Sequence, residues 1–274
     1  MYQNKKNVAV IMSVYKNDKS DWLRKSIDSI LGQTYTNVTI FLAVDGPVSE
    51  DIYSLLLKYT ETGKVNVYYF DECNGLAARL NILIEEVLAS NDFHFVARMD
   101  ADDISLPTRI EKQVAVLESS NCDVIGSSVI EIDDSGKYLF EKKMHTEHEK
   151  LLNNIIIKCP FNHPSVIFRI SVFHEGIRYD SSMKNTQDYN LWVELASLGY
   201  IFGNVDESLL LFRVSNDFHT RRSFNKAKND LYVRIRAMRE LKMISLRNIV
   251  HSILLYSIRI SPSFVSKFAY RYFR

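Results

Sequence analysis

From residue 8 the chain reads Val-Ala-Val-Ile-Met-Ser-Val. A β-branched run without polar alternation predicts a strand buried on both faces, as in the middle of a parallel sheet. Residues 20–31 then set Trp22, Leu23, Ile27, Ile30 and Leu31 at helical spacing behind Ser20, a side chain suited to cap a helix. The alternation repeats along the chain. A strand over 39–44 is halted by Asp45-Gly46-Pro47, a helix over 50–59 carries Ile52, Leu55, Leu56 and Tyr59, and a strand covers 65–70. Gly75 opens a helix through Ala89, and a mostly apolar run over 93–99 reads as a further buried strand. This order predicts an α/β fold of parallel βαβ units with right-handed crossovers.

Past Pro107 the pattern predicts a helix to about Ser119, a strand over 124–132 and a hairpin-like turn at Asp133-Asp134-Ser135-Gly136. Residues 141–158 are weakly patterned, with a helix expected around 147–157. An apolar strand over 165–168 follows. A helix then starts at Thr186-Gln187-Asp188, turns Leu191, Leu195 and Leu198 inward and ends near Gly199. Residues 209–212 form a short strand, and beyond Asn216 the chain turns basic and helical. Two units are expected: 1–215, and a basic amphipathic tail over 216–274.

The chemistry concentrates at Asp100-Ala101-Asp102-Asp103, directly after the 93–99 strand. Ligands bind at the carboxyl ends of strands in open α/β sheets. Carboxylates crowded there repel unless a cation or a solvated loop relieves them. Mg²⁺ or Mn²⁺, which prefer oxygen ligands, would also carry substrate phosphates. The alternative is a polar turn in which Asp102 or Asp103 caps the segment at Pro107.

Composition bounds the picture further. The 274 residues are 46% hydrophobic, enough for a large core, and 9 Gly with 5 Pro argue against low complexity. Cys73, Cys122 and Cys159 lie far apart, as expected of reduced thiols in the cytoplasm. Residues 1–7 lack the apolar region of a secretory leader, and no apolar stretch approaches the ~18 residues of a spanning helix. The net charge of +1 is unevenly spread: from Arg221 onward thirteen Lys and Arg face only Asp230 and Glu240, a net +11 against −10 for the first 220 residues. A tail so charged has its own partner.

Five segments in order resemble family 2 glycosyltransferases, inverting enzymes that use nucleotide sugars and have the GT-A fold. They are Val10-Ile11-Met12-Ser13-Val14-Tyr15, Val44-Asp45-Gly46, Asn74 to Asn81, Arg98-Met99-Asp100-Ala101-Asp102-Asp103 and Gln187-Asp188-Tyr189-Asn190-Leu191-Trp192. Cys159-Pro160-Phe161-Asn162-His163-Pro164-Ser165 and the basic end resemble the branch that builds bacterial exopolysaccharide, capsule or O-antigen repeats.

The resemblance implies roles position by position. Ser13, Tyr15 and Asp45 would hold the base, with Asp45 accepting from its N–H; Asp-Gly-Pro is also a strong turn by itself. Arg79 would meet phosphate, while Asn81, two residues on, cannot share its face, so one of the two is structural. Asp100 would contact the ribose and Asp102 the metal, Mn²⁺ or Mg²⁺. Asp188 matches the catalytic base, although an Asp in a helix's first turn, capped by Thr186, also satisfies the helix dipole, which would lower its pKa. His163 would lie near the acceptor. Leu211-Phe212-Arg213-Val214 and then His219-Thr220-Arg221-Arg222 resemble the segment that closes over the diphosphate, with arginine on phosphate and His219 completing the metal's coordination, unless Arg221 and Arg222 simply begin the basic tail.

The Gln-x-x-Arg-Trp motif of processive synthases is missing, which implies transfer of one sugar at a time. The expected reaction moves a sugar from UDP-hexose or UDP-N-acetylhexosamine to a lipid-linked glycan. Within the tail, Ile249, Ile253, Leu254, Ser257 and Ile260 share one stripe, and Phe264, Val265, Phe268 and Tyr272 share a second beside Lys267, Arg271 and Arg274. Basic amphipathic segments suit the anionic inner face of a cell membrane; no nucleic-acid recognition motif accompanies the charge. Two alternatives stay open. A sugar nucleotidyltransferase would want a Gly-rich phosphate loop after the first strand, which Ser13-Val14-Tyr15-Lys16-Asn17 is not. A non-catalytic, membrane-associated protein that binds nucleotide sugars would not need Asp188.

Overall fold

The computed structural model describes residues 6–214 and 224–261. The first half alternates β1 (Val8–Tyr15), α1 (Ser20–Leu31), β2 (Val38–Asp45), α2 (Glu50–Thr60), β3 (Val65–Phe70), α3 (Leu76–Ser90) and β4 (Phe95–Arg98). The second half holds β5 (Ile104–Ser105), α4 (Arg109–Ser119), β6 (Val124–Ile132), β7 (Tyr138–Lys142), α5 (His148–Asn153) and β8 (Ile167–Arg169). It continues with α6 (Ser171–His174), α7 (Gln187–Ser197), β9 (Phe202–Arg213), α8 (Phe224–Glu240) and α9 (Leu246–Ile260).

The nine strands among the described residues form one mixed sheet in the order β3-β2-β1-β4-β8-β6-β9-β5, with β7 on β6. The long ladders are parallel, and short antiparallel pairings attach β5, β7 and β8. Strand β1 lies between β2 and β4, so the chain reverses its direction of travel there. The crevice beyond the carboxyl ends of β1, β2 and β4 is therefore the expected binding edge.

Period-two burial splits the core in two. Ala9 and Ile11 point to one face with α3, α6 and α7, while Val8, Val10, Met12 and Val14 point to the other with α1, α2 and α4. Val233, Ala237 and Met238 of α8 join the first of these cores, so this part of the basic segment packs on the sheet layer.

Several local expectations are corrected. Lys19, not Ser20, occupies the cap of α1, and no side chain caps it. Thr186 precedes α7 with a left-handed backbone and its hydroxyl does not cap the helix. Leu198 falls just past α7 and is 59% exposed. Residues 163–165 form a 3₁₀ turn, and the strand there starts at Ile167. The short strand expected over 209–212 is the end of twelve-residue β9, whose register against β6 jumps from Ser127–Val205 to Ser128–Ser208. Asp206 and Glu207 bulge out to solvent there and interrupt the apolar pattern. Gly126 of β6 has no room for a side chain: a Cβ would meet Asn204 Oδ1 at 2.3 Å and Phe161 at 2.8 Å.

Candidate active site

The acidic loop leaves β4 and is held from several sides. Ser26 Oγ donates to the Asp100 carbonyl at 2.7 Å. The Arg213 amide donates to Asp103 Oδ1 at 2.8 Å, and its Nε donates to the Asp102 carbonyl at 2.9 Å. Arg213 also donates to the carbonyls of Asp133 and Asp134 and stacks 4.6 Å over Trp22. Neither Asp102 nor Asp103 caps α4, whose cap position is Thr108.

Beneath the loop lie two arginines with no exposed surface. Arg98 donates to the Met99 carbonyl and to Asp100 Oδ1. Arg109 donates to the carbonyls of Arg98 at 3.1 Å and Pro164 at 2.8 Å. An arginine inside an apolar strand demands a partner, and that was the sequence signal for Arg98. Arg109 gave no such signal, and Arg213, expected over the diphosphate, instead ties the acidic loop to the Asp133-Asp134 turn.

One oxygen from each of Asp100, Asp102 and Asp103 lies within 4.8 Å of the others. Burial first and the charge of Asp100 second push Asp102 up to about 6. Asp103 is pushed well above the carboxylate range, by burial and then by both neighbours. Asp103 Oδ2 is buried without a hydrogen-bond partner among the described residues. An all-oxygen donor set with an unpartnered buried lone pair fits a hard divalent cation.

At the end of β2, Asp45 is 5% exposed and fully engaged. Its Oδ1 accepts from the Asn74 amide at 2.9 Å and Arg79 Nε at 2.6 Å; its Oδ2 accepts from the Gly75 amide at 2.9 Å and the Cys73 thiol at 3.3 Å. Gly75, at φ 87°, turns the chain so that these amides face Asp45. The Arg79 guanidinium lies 3.9 Å over Phe70 and donates to the Glu72 carbonyl. A phosphate contact from Arg79 would have to replace one of these partners. Asn81 exchanges two hydrogen bonds with the Tyr179 backbone, at 2.8 and 2.9 Å, and so is structural, as the buried Arg79 is through Asp45. Ser13 and Tyr15 stand half-buried at the end of β1, with Tyr15 in register with Asp45.

A cleft of about 600 Å³ brings Asp100, His163 and Asp188 together. His163 Nε2 lies 2.9 Å from the Tyr179 hydroxyl, with its ring edge-on to Trp192. Burial and the Arg98 charge hold it well below the usual histidine range, so the ring is neutral. Asp188 sits in the first turn of α7, yet its pKa is raised, contrary to the dipole expectation. Burial dominates, and the backbone N–H groups of Asp188 and Tyr189 and the charge of Lys226 only partly offset it. His219, Arg221 and Arg222 lie outside the described residues. Lys142 also lines the cleft and went unnoticed in a weakly patterned segment.

The profile of glycosyl transferase family 2 matches residues 9–177. The chain is 30% identical to the amylovoran biosynthesis glycosyltransferase AmsE of Erwinia amylovora, over 96% of its own length and 97% of the relative's. It is 30% identical to the O-antigen biosynthesis glycosyltransferase WbnJ of Escherichia coli, over 76% of its length and 80% of that protein. Its fold matches the mannosyltransferase PcManGT of Pyrobaculum calidifontis, solved with GDP-Man and Mn²⁺, with a TM-score of 0.68 at 15% identity, covering 98% of this chain and 76% of that one. The chain belongs to glycosyltransferase family 2, and its sheet and helices have the GT-A architecture that the sequence motifs implied.

Proposed function

We propose that the chain is a metal-dependent, inverting, non-processive glycosyltransferase that moves one sugar from a UDP-linked donor to a lipid-linked glycan in bacterial surface polysaccharide synthesis. The observation that carries this reading is the shared cleft. Asp188 faces the same space as Asp100, whose carboxylate clusters with Asp102 and Asp103. Asp188, raised by burial above its ordinary value, is a stronger base than an exposed carboxylate and would take the acceptor hydroxyl's proton as that oxygen attacks. Ser13 and Tyr15 orient the base, Asp45 reaching it only by giving up one of its four donors, and Asp100 orients the ribose. Arg79, Arg221 and Arg222 are the phosphate-side cations, and His163 shapes the acceptor side. Asp102, with Asp103 beside it and His219 in reserve, would hold Mn²⁺ or Mg²⁺, which would neutralise charge on the departing nucleoside diphosphate.

The test is calorimetric titration of UDP and GDP with and without Mn²⁺. Wild type is expected to bind UDP only with the metal, and Asp102→Ala to lose that binding. Equal binding by the variant, or tighter binding of GDP, would overturn the metal role or the donor nucleotide respectively.

Membrane association is proposed from α9. This helix turns Asn248 and Ser252 inward and leaves Ile249, Val250, Ile253 and Leu254 exposed, the reverse of a helix that serves a soluble core. Among the described residues no helix is long and apolar enough to cross a membrane, so the contact proposed is peripheral, on the cytoplasmic face. The second stripe, with Lys267, Arg271 and Arg274, lies outside the described residues. Each cation near an anionic surface contributes ~1 kcal/mol. The chain is therefore expected to sediment with phosphatidylglycerol vesicles and to stay in solution with phosphatidylcholine ones. Ile253→Glu/Leu254→Glu should abolish the sedimentation, and indifference to these changes would refute the surface.

A further inference from the structure

Beyond Asp188 the cleft has a basic end that the transfer step does not use. Lys142 at the end of β7, Lys158, Arg234 of α8 and Arg259 of α9 line it. Asp230 serves both guanidinium groups: Arg234 Nε donates to Oδ2 at 2.7 Å, and Arg259 pairs with Oδ1 at 2.7 Å. Lys158 Nζ has only the Lys143 carbonyl, at 2.8 Å. Half-buried Lys142 pairs through its backbone with Val129, while its ammonium has no side-chain hydrogen bond or ion pair among the described residues and feels the charges of Cys159 and Asp188. Burial lowers the Lys142 ammonium, and burial followed by the charge of Lys142 lowers Lys158. Asp230 answers the two guanidinium groups with a single negative charge, so the cluster keeps an excess of cations that a further anion would relieve, and guanidinium forks match phosphate oxygens. Helix α9 adds a second observation: it lines the cleft with Leu255 and Arg259 while its outer side is apolar.

We infer that Lys142, Lys158, Arg234 and Arg259 form a phosphate-binding subsite that receives the phosphate or diphosphate linking the acceptor glycan to its carrier. The inference rests on the reading of this cleft as the acceptor's, with Asp188 as base. The shared chemistry is a phosphate ester, which could come from a lipid or from a soluble ligand.

The experiment titrates inorganic pyrophosphate and geranyl diphosphate into the protein in EDTA, which leaves the metal-dependent donor site silent. Wild type is expected to bind both. Lys142→Met and Arg259→Met should each weaken binding about tenfold, the size of one lost hydrogen bond to a charged group. Lys142→Arg should restore affinity, Asp102→Ala should leave it unchanged, and melting temperatures should match wild type. Tighter binding of geranyl diphosphate assigns the subsite to a lipid-borne ester, and equal affinity assigns it to a soluble one; either supports the site. No binding, or binding that Asp102→Ala removes and Lys142→Met keeps, overturns it. Parallel titration of UDP with Mn²⁺ separates the two readings. Its failure with Lys142-dependent pyrophosphate binding intact removes the donor assignment and leaves the subsite standing.

Discussion

An Asp188→Asn protein is expected to turn over about 10²–10⁴ times more slowly than wild type, the usual contribution of a general base, while binding UDP and Mn²⁺ with unchanged affinity. Asn keeps the volume and the hydrogen-bonding shape of the side chain but cannot take a proton. The pH profile supplies an independent check. Because burial raises Asp188 above its ordinary value of 3.8, the acidic limb of kcat/KM is expected above that value, with activity rising as the carboxyl loses its proton. A variant that kept most of its activity, or a limb at the ordinary carboxylate value, would remove Asp188 from the chemistry.

Asp45→Ala has the second largest expected effect, and it falls on stability. Asp45 and Arg79 are an almost fully buried pair, so removing the carboxylate strands the guanidinium along with the Asn74 and Gly75 amides. Breaking such a pair costs about 3–5 kcal/mol. At roughly 2–4 °C per kcal/mol for a chain of this size, the melting temperature should fall by roughly 10 °C. Asp45→Ala/Arg79→Met should recover part of the loss, because no buried charge is then left alone. Burial alone would raise the Asp45 pKa, but the guanidinium, the two amides and the Cys73 thiol together bring it below 3.8. A depressed carboxylate stabilises above its unfolded value and loses that contribution as pH falls through its folded value. The gap in stability between wild type and Asp45→Ala should therefore be full at pH 7 and close below about pH 4. Thermal melts across that range decide the matter. An unchanged melting temperature with nucleotide affinity alone lost would make Asp45 a ligand-contacting residue without a structural part.

What could be read in advance follows from the range of the interactions. Strands β1, β2 and β3 and helices α1 and α2 were legible because each is a continuous apolar or periodic run bounded by local turn chemistry. The acidic cluster was legible for the same reason, as charge breaking off an apolar strand. Strand β9 was not, because its two-residue bulge puts Asp206 and Glu207 in the middle of an otherwise apolar run. The Asp45–Arg79 pair joins residues 34 apart in sequence, and nothing local at either end announces the other. The sign of the Asp188 shift was misjudged for a related reason. The helix dipole belongs to α7 alone and can be read locally, whereas the burial that outweighs it comes from segments far away in the chain.

The thickness of α9 has a geometric consequence. One side of this helix borders the basic end of the cleft and the other is apolar, so about 10–12 Å, a single helix diameter, separates that end from whatever surface the apolar side rests on. With the bilayer on that side, as proposed, the basic end of the cleft would lie close above the headgroups. An acceptor whose glycan is still short would present its end directly, while a long one would have to fold back on itself. Such a reach favours an early step in building a repeat over the lengthening of a finished chain.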